Sequence, residues 1–306
     1  MFDGFSTERL SLDEGIEIHL RVGGSGPPLL LLHGYPQTHV IWHKIAPSLA
    51  KRYTVVAADL RGYGDSSKPD GGVNHENYSF RAMARDQVAV MEALGFMRFM
   101  AVGHDRGARV IHRMALDHPD RVEKAVLMDI LPTLFMYENT DMSFARGYFH
   151  WFFLIQPYDF PERLIGADPE YYLVKKFQQG VKTASAFSKE AMAEYIRCFK
   201  IPETIHASCE DYRAAAGIDL AHDRLDLNRK LACPLHILWG RLGIVGQLFD
   251  VLSPWRERAN HLSGRPLDCG HYLAEEAPKE TLTEIFEFLT IHKSATTSRA
   301  GASLCE

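Results

Sequence analysis

The stretch FMAVGHDRGARVIHRMAL, residues 99–116, decides the fold. It begins with the short apolar run FMAV, which has the length and composition of a buried strand, and it ends in ARVIHRMAL, which is typical of a helix. Between them, GHDRG places a glycine at 103 and another at 107, on either side of Asp105. Glycines at this spacing relieve crowding in a strained strand-to-helix turn that pushes its central side chain into a cleft. The stretch therefore predicts a strand, a sharp turn that presents Asp105, and a helix.

Short apolar runs on both sides of this turn predict further strands. They are PPLLLLHG (27–34), YTVVAADL (53–60), VEKAVLMDI (122–130) and LHILWG (235–240). Runs that are almost continuously apolar are typical of parallel strands buried on both faces. Helical spacing is clearest over 78–95 and again over 279–291, whereas IEIHLRV (16–22) alternates like an antiparallel edge strand. The alternation of strands and helices predicts an α/β fold with a doubly wound, mostly parallel sheet.

This alternation stops after Asp129. From about residue 132 to 224 the sequence is helical and rich in aromatic residues, and strand-like runs return only near residue 233. We interpret the interruption as a helical cap inserted into a core with the α/β-hydrolase fold. The predicted division is a core of residues 1–131 and 225–291, a cap of residues 132–224 and a disordered polar tail of residues 292–306.

Composition excludes several classes of protein. The 306 residues carry a net charge of −5 and no basic block, so neither nucleic acid nor a membrane surface is an expected partner. No apolar run approaches the roughly 18 residues of a membrane-spanning helix. The acidic start MFDGFSTERLSLDEG lacks the apolar centre of an export signal. The five cysteines show no CxxC or zinc-ligand spacing, which favours a cytoplasmic chain without a metal site.

Asp105 is the predicted nucleophile. A carboxylate needs no base to ionise it, and the N-terminus of the following helix favours its negative charge. An aspartate nucleophile suits attack at a saturated carbon, which leaves an ester on the enzyme. The alternative is that Asp105 only caps the helix.

Hydrolysis of such an ester requires a base, for which the sequence offers His271. This histidine follows the strand-like GRPLD (264–268), where the nucleophile–acid–histidine order of α/β hydrolases places the base. A neutral histidine base also needs a carboxylate on its other nitrogen. We prefer Asp129 because catalytic groups collect where parallel strands end, and Asp250 and Asp268 are the alternatives.

The turn HGYP (33–36) follows the first parallel strand. We expect the backbone N–H of Tyr35 and that of Arg106, just after the nucleophile, to form an oxyanion hole for ester hydrolysis. The alternative is that HGYP is simply a tight turn.

Two arginines follow the nucleophile, Arg106 at i+1 and Arg109 at i+4. Their spacing on a helix lets both guanidinium groups reach one side of Asp105. Because arginine binds a carboxylate through two parallel hydrogen bonds, the pair predicts a clamp for a substrate carboxylate. The alternative is that one or both arginines form ion pairs at the surface.

A halide that leaves such a substrate needs hydrogen-bond donors, and the cap offers His150, Trp151 and Tyr212. Imidazole, indole and phenol groups all donate hydrogen bonds. From spacing alone, however, aromatic residues on cap helices are more often part of the core.

Nearly all of residues 1–290 resembles the fluoroacetate dehalogenases of the α/β-hydrolase superfamily. The resemblance lies in GHDRGARV, DILPT (129–133), YFHWFFL (148–154), EDYRA (210–214), CGHYL (269–273) and the openings over 23–47 and 59–69. It implies that Asp105 is the nucleophile, Asp129 the acid and His271 the base. It also implies that Arg106 and Arg109 bind the substrate carboxylate, and that the halide pocket is formed by His150, Trp151 and Tyr212. It further implies a homodimeric hydrolase, without a cofactor, that converts small haloacids such as fluoroacetate and chloroacetate to glycolate and halide.

The main rival is an epoxide hydrolase, which shares the aspartate nucleophile, the histidine base and the HGxP turn. Such enzymes usually polarise the epoxide oxygen with two cap tyrosines, whereas here His150 and Trp151 occupy one of the expected positions. An apolar epoxide also has no carboxylate that a pair of arginines could bind, and the same reason disfavours a haloalkane dehalogenase. A catalytically silent ligand receptor is a third alternative, but such proteins tend to lose a member of the triad. Arg241 departs from the resemblance, because a smaller residue is expected there.

Overall fold

The computed structural model describes residues 1–183 and 185–290, and an eight-stranded sheet lies at the centre of this part of the chain. The strands are β1 (Phe5–Ser11), β2 (Glu17–Gly23), β3 (Pro28–Leu32), β4 (Thr54–Ala58), β5 (Phe99–His104), β6 (Val122–Met128), β7 (Leu235–Gly240) and β8 (Leu262–Leu267). Their order is β1-β2-β4-β3-β5-β6-β7-β8; β2 pairs antiparallel with both β1 and β4, and all other neighbouring strands pair in parallel. The predicted fold class is confirmed. Strand β1 was not predicted, because its sequence FSTERLS is mostly polar and exposed at the edge of the sheet.

Helices pack on both faces of this sheet. Before β7 they are α1 (Ala46–Leu49), α2 (Phe80–Ala93), α3 (Arg106–Asp117), α4 (Thr133–Glu138), α5 (Met142–Gly147), α6 (Phe149–Leu154), α7 (Phe160–Ala167), α8 (Pro169–Gly180), α9 (Lys189–Phe199), α10 (Pro202–Ala216) and α11 (Ile218–Leu225). After β7 they are α12 (Ile244–Leu248), α13 (Leu252–Arg256), α14 (Leu273–Glu276) and α15 (Pro278–Thr290). The helices predicted over 78–95 and 279–291 correspond to α2 and α15. Residue 291 and the predicted tail, 292–306, lie outside the described residues.

The apolar run of β3 shows why the central strands are continuously hydrophobic. Leu30 and Leu32 belong to the core cluster on one face of the sheet, together with residues of α2, α3 and the helices that follow β6. Leu29 and Leu31 point the other way, into a second cluster that includes residues of α15. Because successive side chains of a strand face opposite sides, a strand covered on both faces is apolar at every position.

The segment between β6 and β7 forms helices α4–α11 and no strand within its described residues. We call Thr133–Leu225 the cap. Several of its helices begin at an acidic or hydroxyl side chain that accepts a backbone N–H, as Asp168 does from Tyr171 at the start of α8. Such caps satisfy backbone donors that have no partner within the helix, which explains how a run of short helices is stable here.

The carboxyl ends of the parallel strands bring distant residues to one edge. Strand β3 leads into the turn at 33–36, β5 ends immediately before Asp105 and β6 ends immediately before Asp129. His271 follows β8 and precedes α14. In open α/β sheets this edge is the usual place for a ligand site. Among the described helices, none combines the length and apolar character that crossing a membrane requires.

Candidate active site

The turn between β5 and α3 holds Asp105 in a conformation that non-glycine residues rarely adopt, with φ 48° and ψ −114°. The flanking glycines make this turn sterically feasible. A Cβ at Gly103 would lie 2.7 Å from the backbone nitrogen of Ala108, and one at Gly107 would collide with the carbonyl oxygens of Leu32 and His33. The GxDxG pattern is therefore explained by close packing at the elbow, of Gly103 against the start of α3 and of Gly107 against the end of β3.

The Asp105 carboxylate is buried, and each of its oxygens faces a different group. Oδ1 accepts the backbone N–H of Tyr35 at 3.0 Å, and Oδ2 lies 3.8 Å from Nε2 of His271. Burial alone would raise the pKa of Asp105, but His271, His104 and the two following arginines favour the charged form and bring the pKa to about 2. Asp105 makes no side-chain hydrogen bond to the first turn of α3, which argues against the helix-cap alternative.

His271 lies between two carboxylates. Its Nδ1 is 2.5 Å from Oδ2 of Asp129, while its Nε2 faces Asp105. The other oxygen of Asp129 accepts the backbone N–H of Gly240 at 2.9 Å, so the carboxylate is held from both sides. The carbonyl oxygen of His271 is in turn 2.7 Å from Nε2 of His104, whose ring packs against the His271 ring.

The alternative acids lie elsewhere. Asp268 pairs with Arg241 at 2.7 Å on the exposed surface, and Asp250 is exposed and accepts the N–H of Ser253. Of the three candidates, Asp129 is the one that contacts His271. The contact with Asp268 also directs the unexpected Arg241 side chain to the surface.

The predicted oxyanion donors surround Asp105. The Tyr35 N–H already binds its Oδ1, and Arg106 occupies the first position of α3, where a backbone N–H has no acceptor within the helix. The N–H of Gly107 donates to the carbonyl oxygen of His33 at 2.8 Å, which holds the HGYP turn against the elbow. This turn therefore takes part in the site.

Arg106 is fully buried, but most of its guanidinium group is already occupied. Nε donates to Oδ2 of Asp211 at 2.8 Å and Nη2 pairs with Oδ1, and the same carboxylate accepts the hydroxyl of Tyr63. The guanidinium carbon lies 4.3 Å from the centre of the Tyr212 ring. Only Nη1 is left without a hydrogen-bond partner within the described residues. A buried carboxylate thus binds two nitrogens of Arg106 and leaves Nη1 for the carboxylate clamp, which stays a prediction.

Arg109 has a different environment. Its Nη1 donates to the carbonyl oxygen of Leu131 at 3.0 Å and to Oγ1 of Thr133 at 2.9 Å, and its guanidinium carbon lies 4.8 Å from the Trp151 ring centre. Its Nε has no hydrogen-bond partner, and no carboxylate of the described chain lies within ion-pair distance. Burial lowers the pKa of Arg109, and the charge of Asp105 opposes this effect. A buried guanidinium without an ion pair is costly, and an anionic ligand would offset that cost.

The three cap residues predicted to bind halide lie together above the two arginines. Trp151 and Tyr212 are completely buried, and the ring of Tyr212 lies 5.6 Å from that of His150 and 6.2 Å from that of Trp151. Nδ1 of His150, Nε1 of Trp151 and the Tyr212 hydroxyl all lack a hydrogen-bond partner in the described chain. Because buried donors are normally paired, three unpaired donors in one place indicate a ligand site. The alternative of ordinary core packing explains their burial but not their free donors.

Sequence reasoning missed several residues of the site. Tyr148 is buried and packs edge-on against His271, Asp211 fixes Arg106, and Lys176 lines a small cavity with His271. Asp211 and Tyr148 stand in segments that the resemblance singled out, EDYRA and YFHWFFL, so their position was a usable signal. Lys176 had no such signal.

One group of side chains has the geometry of a cation site. His19, His39 and Asp59 are buried, and their ligand atoms lie within 4.8 Å of one another. Nδ1 of each histidine is about 3 Å from a different Asp59 oxygen, which also binds backbone N–H groups, so hydrogen bonds account for this cluster. It is separate from Asp105 and His271.

Comparison with known proteins gives a consistent result. The family model of the alpha/beta hydrolase fold matches residues 27–278. A fluoroacetate dehalogenase from Burkholderia sp is 48% identical over 296 residues, which cover 96% of this chain and 97% of that protein. A soluble epoxide hydrolase from Corynebacterium sp. (strain C12) is 32% identical over 92% of this chain and 96% of that protein. The crystal structure of ALR0039 from Nostoc sp PCC 7120 shares 60% identity and a TM-score of 0.94, covering 95% of this chain and 100% of that one.

Proposed function

The chain belongs to the α/β-hydrolase family, and from this premise we propose that it is a haloacetate dehalogenase. It hydrolyses fluoroacetate, chloroacetate and similar small 2-haloacids to glycolate-type products and halide. The reaction proceeds through an ester on Asp105 and requires neither a metal nor a cofactor.

The observation that carries this proposal is the arrangement of unpaired donors around Asp105. Within the described residues, Arg106 and Arg109 each keep one guanidinium nitrogen without a hydrogen-bond partner, and His150, Trp151 and Tyr212 each keep one such polar atom. Two cations beside the nucleophile suit a carboxylate, and three neutral donors suit a small anion that leaves from the neighbouring carbon. A haloacid has these two features on adjacent carbons.

In the first step an Asp105 oxygen attacks the carbon that bears the halogen. A carbon–oxygen bond forms, and the carbon–halogen bond breaks with its electron pair going to the halide. Because Asp105 has a pKa of about 2, it is ionised at neutral pH without help from a base. The arginines hold the substrate carboxylate and so orient the carbon for in-line displacement. His150, Trp151 and Tyr212 stabilise the halide as its charge develops.

In the second step His271 takes a proton from water, and the resulting hydroxide attacks the carbonyl carbon of the Asp105 ester. Asp129 holds Nδ1 of His271, which leaves Nε2 facing the ester to act as the base. The N–H groups of Tyr35 and Arg106 stabilise the negative oxygen of the tetrahedral intermediate. Collapse of the intermediate releases the hydroxyacid and restores the Asp105 carboxylate, and the proton on His271 passes to solvent.

The epoxide hydrolase alternative is supported by the 32% identical relative and by the aspartate–histidine pair. It differs in its need for cations. An epoxide has no carboxylate to occupy the free N–H groups of Arg106 and Arg109, so these buried groups would remain unpaired in its complex.

A substrate panel distinguishes these functions. The purified protein is incubated with fluoroacetate, chloroacetate, bromoacetate and styrene oxide at equal concentrations, and free halide and diol are measured. We expect halide from the haloacids and no diol. Diol without halide would establish the epoxide hydrolase, and neither product would favour a receptor without catalytic activity.

We further propose that the protein is a cytoplasmic homodimer in which residues 132–224 act as a cap on a core of residues 1–131 and 225–291. Four buried cysteines, Cys198, Cys209, Cys233 and Cys269, are unbridged, which supports a reducing compartment. Large apolar side chains on the outer cap, among them Tyr158 and Phe160, are exposed and support an interface between two copies. Light scattering with sedimentation analysis tests the dimer, and a particle of about 35 kDa would contradict it.

A further inference from the structure

Lys176 is a buried cation that the proposed mechanism does not use. It lies on α8 between the apolar positions Leu173 and Phe177, on the face that packs inward, and only 9% of it is exposed. Lysine is almost never buried without a partner. Yet Lys176 forms no hydrogen bond or ion pair with any described residue, in contrast to its exposed neighbour Lys175, which donates to Gln178. A buried lysine at such a position requires another explanation than packing.

Lys176 lines a small cavity that adjoins the active site. His150, Gln179 and His271 line this cavity together with Tyr148, and the exposed Lys182 lies at its rim. The cavity has a volume of about 20 Å³, enough for one water-sized particle. His150 therefore belongs both to the proposed halide pocket and to the wall of this cavity, which makes it the link between them.

The electrostatics of the cavity favour a small anion. Its cations are Lys176 and Lys182, and Asp105 is the acid whose charge acts on Lys176. Burial lowers the pKa of Lys176 to about 8 and Asp105 opposes this effect, so most of the ammonium is protonated at neutral pH. When Asp105 is an ester, that negative charge is lost, and the pKa of Lys176 falls further unless another anion takes its place beside the ammonium group. At this stage of the reaction a halide ion is present in the adjoining pocket.

We propose that Lys176 forms a second halide site, which receives the ion from the pocket after displacement and leads it out of the protein. This inference rests on the proposed dehalogenase function. The ligand is a single monovalent halide, because the cavity is too small for a haloacid and its free charge is positive. No covalent step is involved, since the ion moves from the donors of Trp151 and Tyr212 past His150 to Lys176.

A single-turnover experiment with bromoacetate, in which two time courses are measured, tests the proposal. Mass spectrometry of quenched samples follows the Asp105 ester, and a halide-sensitive dye follows bromide in solution. In Lys176→Met we expect the ester to form at the native rate while bromide appears about tenfold more slowly, as for loss of one charge-assisted hydrogen bond. Lys176→Arg should restore bromide release. Lys175→Met is the matched control and should change neither the rate of ester formation nor the rate of bromide release.

Unchanged bromide release in Lys176→Met would overturn the proposal, and so would an equal decrease in both rates, which would assign Lys176 to the displacement itself. If Lys176→Met does not fold, Lys176→Gln is measured in its place with the same expected result. Crystals soaked in bromide separate this inference from the proposed function. An anomalous peak beside Lys176 that is lost in Lys176→Gln supports the site even if no haloacid is turned over, and its absence in the native protein refutes the site even if dehalogenation is found.

Discussion

The two sides of the active site differ in how their polar groups are satisfied. On the core side, each oxygen of Asp129 has a partner and the Asp105 Oδ1 binds the Tyr35 N–H. On the cap side, Trp151 and Tyr212 are as deeply buried, but their polar atoms have no partner within the described residues. Groups that are held by the fold are suited to performing chemistry, whereas buried donors without a partner are suited to binding what arrives or leaves. If this division is correct, changes on the core side should abolish a chemical step, and changes on the cap side should alter the preference among substrates.

The largest effect is expected at the nucleophile itself. Asp105→Asn keeps a residue type that tolerates the left-handed backbone at this position, and it should lower halide release by about 10⁴-fold or more. Turnover of the native enzyme in water enriched in oxygen-18 should place label in the Asp105 carboxylate, which peptide mass spectrometry detects. Asp120→Asn, at an exposed acid, is the control. Native halide release by Asp105→Asn, or an unlabelled carboxylate, would remove the ester from the mechanism.

Loss of the base should separate the two chemical steps. In His271→Asn the displacement step keeps its nucleophile but the ester has no base, so bromide release should stop after about one equivalent per site. Intact-mass measurement should show the added acyl group on the protein. His261→Asn, at an exposed histidine, should turn over normally. Steady turnover in His271→Asn without an adduct would show that another group activates the water.

The clamp joins the two sides and should have an intermediate effect. Arg109→Leu removes the guanidinium that has no carboxylate partner in the described chain, and kcat/KM for chloroacetate should fall by about 10²-fold or more. Arg163→Leu, on the exposed surface of α7, is the matched control. Kinetics equal to those of the native enzyme would mean that Arg109 serves only its structural contacts with Leu131, Thr133 and Trp151.

A cap donor should discriminate among halides. Tyr212→Phe keeps the ring beside Arg106 but removes the hydroxyl donor, so fluoroacetate turnover should fall by about tenfold. Bromoacetate should be much less affected, because bromide leaves more readily and depends less on donors. Tyr171→Phe changes an exposed tyrosine and is the control. An equal loss of turnover for all haloacetates would indicate a general packing defect and would contradict the proposed difference between the two sides of the site.

The smallest effect concerns stability, and here the substitution should improve the measured property, whereas the preceding substitutions should impair it. The pKa of Lys176 is about 8 in the folded protein and 10.5 in its ordinary state, so between these values the unfolded chain binds more protons and the native protein gains stability as the pH rises. Below pH 8 the buried charge costs free energy. Lys176→Met should therefore stabilise the protein at pH 7 by about 1–3 kcal/mol, and the gain should shrink towards pH 10. Urea unfolding at both pH values measures this, with Lys175→Met as the control, and a destabilised Lys176→Met would contradict it.

The core side was far easier to predict than the cap side. GHDRG identifies Asp105 because the backbone of the elbow demands glycine at 103 and 107, and the resulting motif is contiguous in the sequence. Asp129 and His271 follow from chain order, and the structure places Asp129 against His271 and His271 beside Asp105. Their catalytic roles stay a prediction until the variants are measured.

Contacts through space were beyond the sequence. Nothing local shows that Asp211 would bind Arg106 across 105 residues, because the pairing depends on where α10 crosses the site. The sequence also gives no signal for the burial of Lys176, since one lysine among apolar positions of a helix usually extends its ammonium group to solvent. The edge strand β1 was missed for another reason, as an exposed edge needs no apolar run.

Tyr35 connects the two sides of the molecule through a single residue. Its backbone N–H binds the nucleophile, while its hydroxyl donates to the hydroxyl of Tyr172 on α8 at 3.2 Å. A displacement of α8 would therefore also shift Tyr35, whose backbone supplies an oxyanion donor. The positions of the cap helix α8 and of an oxyanion donor are thereby coupled through one residue.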